Sequence, residues 1–398
     1  MICENLVLKW GDFVELLVLY SIIGFAIIIF FLFFYLIFKK IHEKIRERMK
    51  KKYLMEVNAY IDNLIAMLDI ENSYEMEINK IRNIMKDKIR REIIEERIIY
   101  HFGKIEKDKR LKLSKLCEDI GLVEYEIKRL KNKNIHQVAL ACKNLGEFRS
   151  KKAIQPLLNL VPHPSTDIKY NALLALAKIG DETAFLESFR KLSETIPLSE
   201  RSLIEIADSF EGDKLYIYKT LIHSEDDFIS SIFIKSAGNH REAALVDDIA
   251  LFLNSSNKEK RLAALKALGN IGDNKYVDII IELLNDKEWE VRAMAAKALG
   301  QIKDSRALLP LVKALSDPQW YVRYNSAYSL VSIEGGLDMV KLVLQGNDRF
   351  AKDIIIAVLE TTYGLNKLIE YDLIDNKSPR LLDLLEDYVA KRKEEAMA

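Results

Sequence analysis

The chain has 398 residues, and its 60 Lys+Arg against 60 Asp+Glu leave a net charge of zero, so it has no global field with which to recruit nucleic acid. Three cysteines, Cys3, Cys117 and Cys142, are too few and too scattered for a disulfide framework or a thiolate zinc site. A composition of 49% hydrophobic and 30% charged residues excludes wholesale disorder, and only 7 prolines and 15 glycines favour helices over a turn-rich β fold.

The first element is an apolar run. Residues 16–38 (LLVLYSIIGFAIIIFFLFFYLIF) hold 23 positions without a charge. As a helix this run reaches about 35 Å, enough to cross a hydrocarbon core of about 30 Å with some tilt. A buried core helix would be shorter and would show a polar face. A cleaved signal would be shorter, with small residues at a cleavage site after it. The run leads instead into KKIHEKIRERMKKK, with eight Lys/Arg between Lys39 and Lys52, whereas the twelve residues before Phe13 carry only Lys9. The positive-inside rule then puts the N-terminus outside and the rest of the chain in the cytoplasm, with Trp10 placed as an interfacial anchor. The basic run sets topology and is also drawn to anionic lipid. The expected order is an extracytoplasmic tail (1–12), a transmembrane helix (13–38) and a basic juxtamembrane and helical linker region (39–134).

Within the linker, 58–69 and 76–99 carry Ile, Leu and Met at helical spacing (Ile81, Ile84, Met85, Ile89, then Ile93, Ile94, Ile98), with charges of both signs on the other face. Sustained heptads are missing, so a helical stalk or small capping bundle is expected rather than a dimerising coiled coil. Residues 112–131 (KLSKLCEDIGLVEYEIKRLK) are expected to form a helical hairpin turning near Gly121.

From residue 135 the chain is periodic. Arg261, Arg292 and Arg323 are spaced by 31, as are Gly238, Gly269 and Gly300, Leu268, Leu299 and Leu330, and Asp286, Asp317 and Asp348. Each unit is expected to be helix, Gly-containing turn, helix, short polar loop. Small residues on the first helix (Ala264, Ala267; Ala295, Ala298) would let the second approach, and apolar residues line the second (Ile279, Ile280, Leu283, Leu284; Leu308, Leu311, Leu315). Pro156 and Pro310 both fall inside an x-P-L-[LV] stretch of a second helix. Residues 135–363 thus form about seven stacked units that bury one continuous core. C-terminal capping helices occupy 364–398, with a divergent helix from Pro379.

The stretch L-x-D-[KP]-x-W-x-V-R-x-x-[AS]-x-x-[AS]-L, at Asp286 to Leu299 and again at Asp317 to Leu330, resembles HEAT repeats of the short type named after phycobilisome lyases. The layout as a whole, one apolar span, a charged helical region with GLVEYEIKRLK, the repeats and then NDRFAKDIIIAVLE, is similar to bacterial membrane-anchored HEAT-repeat proteins found beside membrane glycosyltransferases. The resemblance implies an all-α protein: a single N-terminal transmembrane helix, a helical linker and a HEAT-repeat α-solenoid. It also implies that Arg261, Arg292 and Arg323, with the Asp of the preceding loop (Asp286, Asp317), form a structural ladder between repeats. Ser255 stands where that Asp would be, and Ser230 where the Arg would be one unit earlier, so looser packing is expected around 228–260.

Trp289 and Trp320 are one period apart, and Tyr321, Tyr324 and Tyr328 share a helical face. They could cover the seam between repeats or form a partner-binding surface, since Tyr and Trp give much contact area for little entropy. Enzyme readings lack a basis. The six histidines show no ligand spacing, and the one His-Glu pair, His42-Glu43, lies outside the repeats, unlike the di-iron HEAT-repeat hydroxylases. No phosphate-binding glycine loop, Gly-x-Ser-x-Gly elbow or Cys/His dyad is present. The expected function is a protein-binding scaffold at the cytoplasmic face of a membrane, without cofactor or metal. Its expected contacts are lipid, through the span and basic flank, and a protein partner; the resemblance points to an integral membrane glycosyltransferase or polysaccharide system. The alternative is a regulator that sequesters a soluble signalling protein.

Overall fold

The computed structural model describes residues 2–66, 75–193, 198–362, 365–375 and 380–397, and among these residues the regular structure is entirely helical. Residues 67–69 of the expected 58–69 helix, and Pro379, lie outside the described residues, as do the side chains of Lys9 and Trp10. The chain divides into two compact units, Met1–Glu126 and Ile127–Ala398.

The first unit starts with one continuous helix, α1 (Ile2–Ala66). It runs straight through the expected boundaries at 12/13 and 38/39, because nothing there breaks a helix: residues 2–66 contain no proline, and Gly24 is the sole glycine of the apolar stretch. The helix changes character along its length. From 18 to 38 its side chains are exposed on every face, Phe25, Phe31 and Phe38 to two thirds or more, and Gly24 is partly covered. By composition and length it is able to cross a membrane. From Val57 it becomes amphipathic, with Val57, Ile61 and Leu64 buried.

That amphipathic end packs on α3 (Lys88–Phe102), and α2 (Glu75–Ile84) completes the bundle. Ile81, Ile93, Ile94, Ile98 and Phe102 are its core, all at most 1% exposed. A charged clasp holds α1 and α3 together: Arg97 donates through Nε and Nη2 to the two carboxylate oxygens of Asp62 (2.7 and 2.5 Å), and His101 Nε2 lies 2.8 Å from Asp62 Oδ1. The linker is therefore a bundle with its own core. In the hairpin, α4 (Lys107–Asp119) and α5 (Leu122–Arg129) are joined at Gly121, whose φ of +87° is the left-handed geometry that glycine adopts without a Cβ clash. The boundary between the two units falls inside α5.

The second unit is a two-layer stack. Its first-layer helices are α6 (Ile135–Phe148), α8 (Thr166–Ile179), α10 (Glu200–Asp208), α12 (Asp227–Asn239), α14 (Lys258–Ile271), α16 (Trp289–Ile302), α18 (Trp320–Ser332) and α20 (Arg349–Thr362). Between them lie the shorter second-layer helices α7 (Ile154–Leu158), α9 (Glu182–Ser193), α11 (Lys214–Leu221), α13 (Val246–Ala250), α15 (Val277–Glu282), α17 (Leu308–Ala314) and α19 (Gly336–Gln345). Each first-layer helix packs on the next, while α7 packs on α9, α9 on α11, and α17 on α19. α19 also packs on α22 (Leu381–Met397), which α21 (Leu365–Asp375) precedes. This is an α-solenoid.

The structure corrects two expectations about the repeat. Gly238, Gly269 and Gly300 are not turn residues but lie within α12, α14 and α16. A Cβ on Gly238 would stand 2.4 Å from Ala267 Cα, and one on Gly300 would stand 2.7 Å from Ser329 Cα. The periodic glycines and alanines thus let successive first-layer helices touch backbone to backbone, between repeats rather than within one. The second correction concerns 228–260, which is not loosely packed. Ile229, Ile232, Phe233, Ile234, Leu245, Ile249 and Leu253 are at most 4% exposed there, and Phe233 packs on Phe185, Phe189 and Tyr218 of the preceding helices with ring centroids 5.0–6.4 Å apart.

Candidate functional site

The loops between repeats are tied by arginine. Arg261 donates through Nη2 to Asp286 Oδ1 (3.0 Å), places Nε 2.9 Å from Oδ2, and donates through Nη1 to the Ser255 carbonyl (2.8 Å). Arg292 repeats the arrangement: Nε and Nη2 reach Asp317 at 2.7 and 3.0 Å, and Nη1 reaches the Asp286 carbonyl at 2.9 Å. Each arginine therefore takes the carboxylate of the following loop and only the backbone of the preceding one, the reverse of the pairing the resemblance implied. Burial alone would raise the Asp317 carboxyl, but the Arg292 fork and the Gln319 N–H outweigh it and hold it below the usual carboxylate range.

Arg323 breaks the series. It donates to the carbonyls of Asp317 and Pro318 (2.8 and 3.0 Å), and its guanidinium stands 5.6 Å from the centroid of the Phe350 ring. Asp348 instead accepts from Ser316 Oγ and from the Ala351 N–H. The two serine departures keep part of each role. Ser255 Oγ accepts from the Asn257 N–H, as Asp286 and Asp317 accept from Glu288 and Gln319. Buried Ser230 donates to the Ile222 carbonyl.

On the first layer, four of the five aromatic residues come together at the start of α16 and on α18, and Tyr328 follows one turn beyond Tyr324. Trp289 stacks on Tyr321 (5.6 Å between centroids, 24° between planes) and Trp320 stacks on Tyr324 (5.0 Å, 18°). Trp320 meets Tyr321 edge-on at 5.1 Å, so four rings form one connected chain. Trp289 and Tyr324 are partly covered, whereas Trp320, Tyr321 and Tyr328 are 49%, 58% and 49% exposed. On the same helix Val322, Ala327 and Leu330 are fully buried. Trp289 bridges two repeats, while the exposed Trp320 and Tyr321 form a platform over it and Tyr328 is exposed further along α18. Phe350, 69% exposed at the start of α20, lies beyond Arg323 and outside the repeat motif.

The motif also leaves out a second feature of the same period. Lys235, Lys266, Lys297 and Tyr328 are each 31 residues apart, so they occupy one register position on α12, α14, α16 and α18. Lys235 is tied to Glu200 at 2.9 Å. Lys266 and Lys297 are exposed. Among the described residues, no group of three or more His, Cys, Asp or Glu side chains is arranged to hold a metal ion.

Residues 127–195 and 246–333 match the family model for HEAT repeats. Those two stretches are therefore HEAT repeats, and the second unit is an α-solenoid that contains them. No curated protein matches the chain. Similar solved structures include an engineered protein (16% identity, TM-score 0.34, covering 79% of this chain and 95% of that one). Kap95p, from a structure with RanGDP, is 13% identical with a TM-score of 0.39, over 79% of this chain and 52% of its own. Human deoxyhypusine hydroxylase is 16% identical with a TM-score of 0.26, over 72% of this chain and 96% of its own.

Proposed function

We propose that this protein is a membrane-anchored interaction scaffold that holds a protein partner at the cytoplasmic face of the bilayer. The observation that carries the binding role is the aromatic platform. Trp320, Tyr321 and Tyr328 are solvent-facing, yet stacking on Trp289 and Tyr324 holds the first two in place, so little side-chain entropy remains to be lost on binding. The anchoring role rests on 18–38 of α1, apolar and exposed on all faces, with eight Lys/Arg immediately after it. Exposed apolar surface of that extent calls for lipid, and the basic flank favours the orientation with the solenoid inside. The partner we propose is an integral membrane glycosyltransferase or another component of a polysaccharide system, because the layout is similar to that of membrane-anchored HEAT-repeat proteins found beside such enzymes.

Cross-linking in intact membranes, purification through a C-terminal tag and mass spectrometry test this directly. A glycosyltransferase recovered in stoichiometric amount supports the scaffold. A soluble signalling protein in its place favours the sequestering regulator, and recovery of the chain alone defeats both. Tyr321→Ala with Tyr328→Ala is expected to lower that recovery about tenfold with melting unchanged.

A further inference from the structure

Resting on that protein-binding reading, we infer that the solvent-facing side of α14, α16 and α18 receives an extended acidic segment of the partner. Two carboxylates three residues apart meet Lys266 and Lys297, and an apolar residue three further on seats against Tyr328 and the neighbouring platform.

Charge points to this side of the solenoid. Of the twelve Lys and Arg at 258–323, six are committed: Arg261 to Asp286, Arg292 to Asp317, Arg306 to Asp304 and Asp278, Lys258 to Glu290, Lys260 to Asp227, Lys275 to Asp247; of the others, Lys266 and Lys297 alone share a register position on successive first-layer helices. Lys266 and Lys297 are exposed and make no ion pair among the described residues. Their helical neighbours are Leu262, Ala263, Gly269 and Asn270 for the one, and Ala293, Met294, Gly300 and Gln301 for the other, none of them acidic. On the same helices the nearest acids in phase are Glu259 and Glu290, seven residues earlier, which is about 10 Å along the axis. Glu290 is already held by Lys258 at 3.0 Å. Two ammonium groups in one register column are therefore left facing solvent.

Spacing then selects the ligand. Packed helices lie about 8–10 Å apart, and the contacts of Gly269 with Ala298 and of Gly300 with Ser329 bring these toward the close end. A polyproline-II segment has three residues per turn and rises about 3.1 Å per residue, so side chains at i, i+3 and i+6 share one face about 9 Å apart. That column matches Lys266, Lys297 and Tyr328. Exposed ion pairs add little affinity but fix register and speed encounter, while the aromatic end supplies the contact area.

The test uses the full chain in lipid nanodiscs and a fluorescent peptide with Asp at i and i+3, Leu at i+6 and Pro at intervening positions. It is expected to bind about tenfold tighter than peptides with spacings of two or four, or with reversed order. Lys266→Glu with Lys297→Glu should abolish that advantage, and a peptide with Lys in place of Asp should restore binding to the variant. Both substitutions are at exposed positions, so an unchanged melting curve verifies the fold. Equal binding of all spacings, binding unaffected by the charge reversal, or no binding would each overturn the inference. A glycosyltransferase recovered by cross-linking without peptide binding would sink this inference alone; peptide binding with no recovered partner would sink the scaffold reading.

Discussion

Arg292 and Arg323 occupy equivalent positions and do different things. The Arg292 fork is bidentate on Asp317, with side chains only 14% and 10% exposed, so removing the guanidinium strands a covered carboxylate. Arg292→Ala is expected to cost about 3 kcal/mol by denaturant titration, and Arg292→Lys to recover little, because an ammonium cannot span both oxygens. Lys303 shows the opposite case. It caps α16 with φ +62°, where the cap of α14 is Gly272 at φ +81°. Lys303→Gly should therefore raise stability by about 1 kcal/mol, read as a higher melting temperature. Asp304 beside it is held at about 2, below its ordinary 3.8, chiefly by its bond to Arg306. A carboxyl depressed in the folded state stabilises fully above its unfolded pKa and loses that contribution as pH falls toward its folded one. The melting difference between the native chain and Asp304→Asn should thus be constant near neutrality and shrink between about pH 4 and pH 2.

At the level of elements, the contact between consecutive first-layer helices is the stress point. A Cβ at Gly238 would lie 2.4 Å from Ala267 Cα and 2.6 Å from its Cβ, and neither atom can swing aside without moving α14. Gly238→Val is expected to cost about 3 kcal/mol, as overpacking rather than lost burial. The helical periodicity of 76–99 reads directly from the sequence, and Ile81, Ile93, Ile94 and Ile98 are the buried face. The glycine seam does not read the same way: in sequence a glycine followed by polar residues looks like a turn, and only the packing of the next repeat shows it to be a helix–helix contact.

For the molecule as a whole, a stack in which each repeat touches only its neighbours loses stability locally. Hydrogen exchange of Gly238→Val should rise in α12, α14 and the helices packed on them, and stay unchanged in α2 and α3 of the first unit. The amino-acid sequence by itself determined the apolar run, the helical class and the period, since these depend on hydrophobicity and spacing alone. A period says which residues are equivalent, not which neighbour each one reaches. Asp286 is in phase both with Arg261, 25 residues before it, and with Arg292, six after it. Only the stacking of one repeat on the next gave its carboxylate to the first and its carbonyl to the second. The same holds for the aromatics. Their shared face was legible, but the division into Trp289 under the platform and Tyr321 above it was decided by how closely α16 and α18 approach, which is set by Gly300 against Ser329.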